Sequence, residues 1–209
     1  MKASQAVRRY VLSHPSIRDC LQLGLVNHSA LARRICDELK IESFDAVLAG
    51  IKRFPVKAGG VSSQDAITRI ISQAQLKVTS RIAVLVAARP RDPEKILSIQ
   101  SAIRKKRGRC LAIESDEVVT LIISQQYLSL VQGQLRNLVL SVTEHLAIIQ
   151  VVLDKQVEET PGVVAYFYGL LAFHGINVRE EASCWTDILL VVDERDLSRT
   201  LLALESVSA

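Results

Sequence analysis

Glu158-Glu159-Thr160-Pro161-Gly162-Val163-Val164-Ala165-Tyr166-Phe167-Tyr168-Gly169-Leu170-Leu171-Ala172-Phe173-His174-Gly175-Ile176-Asn177-Val178 reads as a loop, a helix and the start of a strand. Thr160 offers a hydroxyl cap. Pro161 suits the first helical position, where its missing N–H would be unpaired anyway, and Gly175 supplies a left-handed stop. Upstream, Leu146 to Asp154 is strand-like, with Ala147, Ile149, Val151 and Leu153 on one face; downstream, Asp187 to Val192 is another strand. A helix start with free N–H groups and a positive dipole end suits a carboxylate, and Gly162 lets a ligand approach the backbone.

The pattern Pro-Gly-Val-x-Ala-x-x-x-Gly-Leu-Leu-Ala-x-x-Gly-Ile-Asn-Val after a strand resembles the ACT domain of amino-acid-sensing regulators, above all the regulatory end of aspartate kinases. The resemblance implies a ferredoxin-like βαββαβ module that binds an amino acid where its first strand meets its first helix, often across an interface between modules. Carried over, the site would comprise Glu159, Thr160, Pro161, Gly162 and Val163 with the strand entry Gly175, Ile176 and Asn177.

A second βαββαβ pattern precedes this one. Ile82 to Ala88 reads as a strand, Asp92 to Arg107 as a helix, Cys110 to Glu114 and Val118 to Ser124 as strands, Gln125 to Asn137 as a helix and Leu138 to Thr143 as a last strand. Residues 80–144 are therefore expected to be a degenerate first ACT module and 145–209 a second, a tandem repeat of about 65 residues. The first copy carries Arg89-Pro90-Arg91-Asp92-Pro93 in place of Pro-Gly-Val, which argues against an amino acid there. Its helix ends in Arg104-Lys105-Lys106-Arg107-Gly108-Arg109, where cations complement the dipole and an anion could also bind. After the helix Asp196 to Leu204 too few residues remain for a fourth strand in the second copy. Strand 146–153 is thus expected to be an open apolar edge covered by the first copy or by a second chain. On the main helix Val163, Phe167, Leu170 and Leu171 suit the core, while Tyr166, Gly169 and Phe173 form another stripe, expected to be an interface.

Residues 1–57 are expected to form a small helical domain. Ala6, Val7, Tyr10 and Val11 mark one helix; Pro15 opens a second with Ile17, Leu21 and Leu23. Asn27 caps His28 to Lys40, with Ala30, Leu31, Ile35 and Leu39 apolar, and Ser43 caps Phe44 to Phe54. The run from Ser29 to Phe54 is similar to helix-turn-helix and winged-helix DNA readers. That similarity would turn Ser43, Asp45, Ala49, Lys52 and Arg53 toward a duplex and set Arg33 and Arg34 on phosphate. A helical domain used for packing or assembly is the competing reading. Val56 to Gln64, with Gly59-Gly60, is expected to be a linker, and Ser63 to cap a helix Gln64 to Gln75, so that 58–79 joins the domains.

The net charge of +4 divides unevenly: ten Lys/Arg against five Asp/Glu in residues 1–57, twelve against seven in 58–150, and four against ten in 151–209. An anionic partner would therefore meet the first two segments. Aromatic residues are only 4%, which disfavours base-stacking platforms. Cys20, Cys36, Cys110 and Cys184 form no Cys-x-x-Cys pair, so neither zinc nor a disulfide framework is expected. No P-loop, Gly-x-Ser-x-Gly elbow or His-Glu-x-x-His occurs, and His14, His28, His145 and His174 are scattered. His174 suits a helix C-terminal cation or an interface, and the single tryptophan, Trp185, a pocket or an interface. With no leader-like start and no apolar run of ~18 residues, a soluble cytoplasmic protein is expected. The expectation is a non-enzymatic α+β regulator with no cofactor and no metal: a helix-turn-helix-like domain and two ferredoxin-like βαββαβ ACT modules, dimeric through the latter. It senses an amino acid or similar small ligand, and its output is either duplex DNA or a metabolic enzyme on which it docks.

Overall fold

The computed structural model describes residues 2–55, 61–92 and 94–206, the side chains of 61–64 excepted. The chain divides into two compact units, Met1–Ala66 and Ile67–Ala209.

The first unit is helical: α1 Ala3–Ser13, α2 Pro15–Gln22, α3 His28–Leu39 and α4 Phe44–Lys52. Pro15 opens α2 as expected, and Asn27 Oδ1 accepts from the Ala30 N–H at 3.0 Å to cap α3. Ser43 stands at the start of α4 without a capping side-chain bond. The core holds Ala6, Val7, Tyr10, Val11, Leu21, Leu31, Ala32, Ile35, Val47 and Ile51. Three residues expected inside, Leu23, Ala30 and Leu39, are exposed, because Leu23 lies past the end of α2 and α3 turns Ala30 and Leu39 to solvent, with Ala32 in the buried place. Beneath this core Tyr10 donates to Glu38 at 2.8 Å while Glu38 also takes the Arg34 guanidinium at 2.8 Å.

The expected linker falls largely on residues 56–60, outside the described residues. α5 runs Val61–Ser72, starting and stopping three residues before the helix read from sequence, so Ser63 lies within it rather than capping it. Its apolar face, Ile67, Ile70 and Ile71, is buried in the core of the second unit.

The early end of α5 releases Gln75 for β1, Gln75–Ala88. There follow α6 Glu94–Lys105, β2 Cys110–Glu114, β3 Val118–Ser124, α7 Leu128–Leu135, β4 Val139–Val152, α8 Val163–Phe173, β5 Val178–Cys184, β6 Asp187–Asp193 and α9 Leu197–Glu205. Short 3-10 turns at Gln125–Tyr127, Arg136–Leu138, Lys155–Glu159 and Glu194–Asp196 complete the series. The two strands expected at 138–143 and 146–154 are one strand, β4, and β1 begins seven residues before the expected Ile82.

All six strands form one antiparallel sheet in the order β2-β3-β1-β4-β6-β5. β1 and β4 are each twice an ordinary strand's length because each serves both halves of the sheet. In the first half, Ile82–Ala88 lies between β3 and the first part of β4; in the second, Leu146–Val152 lies between β6 and residues 75–79. Residues 75–79 therefore supply the strand that the second half lacks in its own sequence. The expected open edge is covered from within the chain.

Each long strand bends where it changes halves, with Arg81 at φ +57° and His145 at φ +58° beside a register shift. Alternation then sorts the cores. Ala83, Leu85, Ala87, Val119, Leu121 and Ile123 pack under α6 and α7, while Ile149, Val151, Leu153, Ile188, Leu190 and Val192 pack under α5, α8 and α9. On the other face of the sheet Ile82, Val84 and Ile122 from one half meet Leu146, Ile148 and Val191 from the other in a single buried cluster. Among the described residues no helix is long and apolar enough to cross a membrane.

Candidate ligand-binding site

The chain leaves β4 at Val152, turns through Lys155–Glu159 with Asp154 Oδ1 accepting from the Gln156 N–H at 2.9 Å, and enters α8 through Gly162. The entry differs from the one read in the sequence. Thr160 donates its hydroxyl backward to the Gln156 carbonyl at 2.8 Å, so it caps nothing in α8. Pro161 stays outside the helix, and Gly162 is the boundary residue, at φ +101°, a conformation open to glycine. The first turn of α8 consequently receives no side-chain cap, and its N–H groups face forward with the dipole's positive end. Ile67 of α5 closes in beside Gly162: a Cβ there would lie 3.2 Å from the Ile67 methyl. Val163 is buried, and Glu159, Pro161 and Gly162 are exposed.

The corresponding helix start in the first half is closed by its own sequence. Asp92 Oδ1 accepts from the Glu94 N–H at 3.0 Å at the head of α6. The Arg89 N–H is held by the Glu117 carbonyl at 2.8 Å, and its guanidinium stands 3.6 Å from Glu114.

Gly175, Ile176 and Asn177 do not join the α8 entry. Register fixes this: Val152 faces Asp187, whereas Val178 faces Val192, which in turn faces Ala147. The two segments flank opposite ends of α8, which is about 16 Å long at 1.5 Å per residue. Gly175, at φ +65°, ends the helix as expected, with the Ile176 N–H donating to the Leu171 carbonyl at 2.9 Å. The His174 carbonyl takes the Arg199 guanidinium, itself 3.2 Å from Asp196.

At that second end the structure assembles a group that sequence reading missed. Glu144, His145, Asp193, Glu194 and Arg195 line a cavity of about 300 Å³, with Asp193 held by Arg179 at 3.0 Å and Arg195 at 3.6 Å. The one signal in the sequence was the break between the two strand patterns near Glu144 and His145. Among the described residues no group of three His, Cys, Asp or Glu is placed to hold a metal.

Of the expected interface stripe, Phe173 is 86% exposed and Gly169 faces open space, but Tyr166 packs against the core beneath α8. The outward face is instead Val164, Tyr168 and Phe173. The Tyr168 hydroxyl is raised by burial and then by Glu181 and Glu180. Trp185 is exposed at the β5–β6 turn, at φ +53°. Of the residues expected to face a duplex, Arg33, Ser43, Asp45, Lys52 and Arg53 are exposed, Ala49 is half-buried, and Arg34 is tied to Glu38.

No family model matches the sequence, and no curated protein does. Solved structures match the fold. The ligand-free regulatory subunit of aspartate kinase from Thermus thermophilus is 14% identical, with a TM-score of 0.50 over 63% of this chain and 95% of that one. Clostridium acetobutylicum aspartate kinase is 11% identical, with a TM-score of 0.54 over 64% of this chain and 34% of that one. A Vibrio cholerae protein of unknown function, described as a possible transport protein, is 15% identical, with a TM-score of 0.50 over 70% of this chain and 99% of that one. At these identities the likeness is one of fold alone, and it runs along nearly the whole length of the aspartate kinase regulatory subunits.

Proposed function

We propose that this protein is a non-enzymatic regulator whose second unit senses an amino acid or a related small carboxylate at the head of α8. The supporting observation is the contrast between the two halves: Asp92 occupies the head of α6, while the equivalent α8 start after Gly162 has no cap of its own. A ligand carboxylate would take the place in the second half that an aspartate fills in the first. Glu159, Thr160, Pro161, Gly162 and Val163 form that entry; Gly175, Ile176 and Asn177 would complete a site only from a second copy. Homodimerisation through the outward face of α8, with Gly169 and Phe173, is part of this reading.

The output of the first unit has two readings. In one, paired helical units bind duplex DNA through Arg33, Ser43, Asp45, Lys52 and Arg53, making the protein a transcriptional regulator. In the other, the helical unit docks the protein on an enzyme of amino-acid metabolism. The thin polar surface of α4 favours the second, because within the helix only Asp45, Ala46 and Lys52 are fully exposed.

Thermal unfolding in the presence of each of the twenty amino acids tests the sensor. A ligand at 100 times its Kd adds about 2.7 kcal/mol to the folded state. Ala165→Asp places a carboxylate in the first turn of α8 and is expected to raise the unfolding temperature of the free protein while abolishing any selective shift. No shift with any amino acid would overturn the sensing reading.

A further inference from the structure

Five of the six residues 104–109 are cations, Arg104, Lys105, Lys106, Arg107 and Arg109, around Gly108. The first four are exposed and Arg109 is half-buried. Among the described residues none of the five is ion-paired with a carboxylate, although cations elsewhere in the unit are. The helix dipole accounts for Arg104 and Lys105 in the last turn of α6, but Arg107 and Arg109 lie past its end. Nor does the fold require the cluster: the equivalent turn of the second half, Phe173 to Asn177, contains no Lys or Arg.

The loop is held in place against its own repulsion. Arg107 sits at φ +57°, the Gly108 N–H donates to the Ile103 carbonyl at 3.0 Å, and the Tyr127 hydroxyl donates to the Lys106 carbonyl at 3.0 Å. The Arg109 N–H donates to Ser124 Oγ at 2.9 Å, and the Ser124 N–H returns to the Arg109 carbonyl at 3.0 Å. A Cβ on Gly108 would fall 2.2 Å from the Tyr127 ring, so the turn is packed tight. With these N–H groups already bonded, an anion here would be held by side chains. With Tyr127 packed beneath the turn, no aromatic face is free to stack a base.

The geometry points to the 104–109 loop as a contact for the phosphate backbone of duplex DNA, independent of base sequence and of the amino-acid site. Protein interfaces centre on apolar and aromatic anchors, whereas this loop exposes cations and no apolar side chain. A cluster of exposed positive charge with no carboxylate partner fits a polymer of phosphates.

The test is fluorescence anisotropy of the full chain on a mixed-sequence duplex, between about 50 and 200 mM salt. The triple variant Arg104→Ala, Lys105→Ala, Lys106→Ala is expected to flatten the slope of log affinity against log salt by about 2.7, three contacts at ~0.9 each. Lys105→Arg with Lys106→Arg is expected to keep the slope. Should the triple variant fail to fold by circular dichroism, Lys105→Ala alone reads the same effect at ~0.9. A slope unchanged by the alanine variants, a chain that binds no duplex, or tighter binding of polyglutamate than of duplex would each overturn the assignment. Binding contributed by the helical unit would persist in the triple variant and disappear with Arg33→Ala and Lys52→Ala, which separates the two surfaces.

Discussion

The Arg81 N–H donates to Glu194 Oε1 at 2.6 Å, across 113 residues of sequence, and closes the bend of β1. The other half repeats the device, with the His145 N–H donating to Gln125 Oε1 at 3.0 Å at the bend of β4. A residue at the first position after a central strand thus reaches across to the long strand of the opposite half. The two halves lock each other where their strands are shared.

Removing one lock should loosen that corner. Glu194→Ala is expected to cost about 1 kcal/mol in urea unfolding, while Glu194→Gln, which keeps an acceptor oxygen, is expected to cost less. Arg81→Val is expected to destabilise, because a β-branched residue tolerates this left-handed backbone less well than arginine does.

The strand contributed by residues 75–79 sets where the second unit can be cut. A fragment starting at Val61 keeps α5 and the whole of β1, and is expected to give a folded species by circular dichroism and size exclusion. One starting at Ser80, the boundary that the internal repeat suggests, exposes the β4 edge and strips Ile67, Ile70 and Ile71 from the core. Self-association or loss of structure is the expected result.

Burial raises the Glu180 carboxyl above the usual carboxylate range. In the folded chain the charged form is the disfavoured one. The stability linked to this group is therefore full below its unfolded pKa and lost as pH rises through the raised folded value. Glu180→Gln is expected to raise the unfolding temperature at neutral pH and to lose that advantage at pH below the carboxylate range. A gain independent of pH would contradict this origin.

The four thiols should separate by reactivity. Burial pushes Cys110 up to about 11, with Arg104 acting weakly in the opposite sense, whereas Cys20 and Cys184 are exposed. With a thiol reagent at mildly alkaline pH, Cys20 and Cys184 are expected to react first, half-buried Cys36 more slowly, and Cys110 only on unfolding.

Much of this architecture was written locally. Pro15, Asn27 and Gly175 fixed helix boundaries through ring geometry, a capping oxygen and a left-handed backbone. Alternation marked β2 and β3 to the residue, and 3.6-residue spacing found the buried faces of α1 and α8. The basic run at 104–109 was equally plain, because charge is a property of each residue alone. The α8 entry was legible as a loop and a helix, but the helix begins two residues later than Thr160 and Pro161 imply. Thr160 had two acceptors for its hydroxyl's attention, the helix ahead and the Gln156 carbonyl behind, and only packing chose between them.

The sequence by itself determined which segments bury an apolar face, how many halves the second unit has and where charge accumulates, since these depend on near neighbours along the chain. Tertiary structure decided the rest. It decided that Gln75–Thr79 is a strand and not a helix end followed by linker, because a short stretch with two β-branched residues gains its ladder only when β4 is there to bond it. It decided that 138–143 and 146–154 are one strand bent at His145, that Gly162 and Asn177 lie at opposite ends of α8, and that Glu144 and Glu194 line one cavity. Each of these is a pairing between distant residues, and its free energy exists only once the sheet has closed.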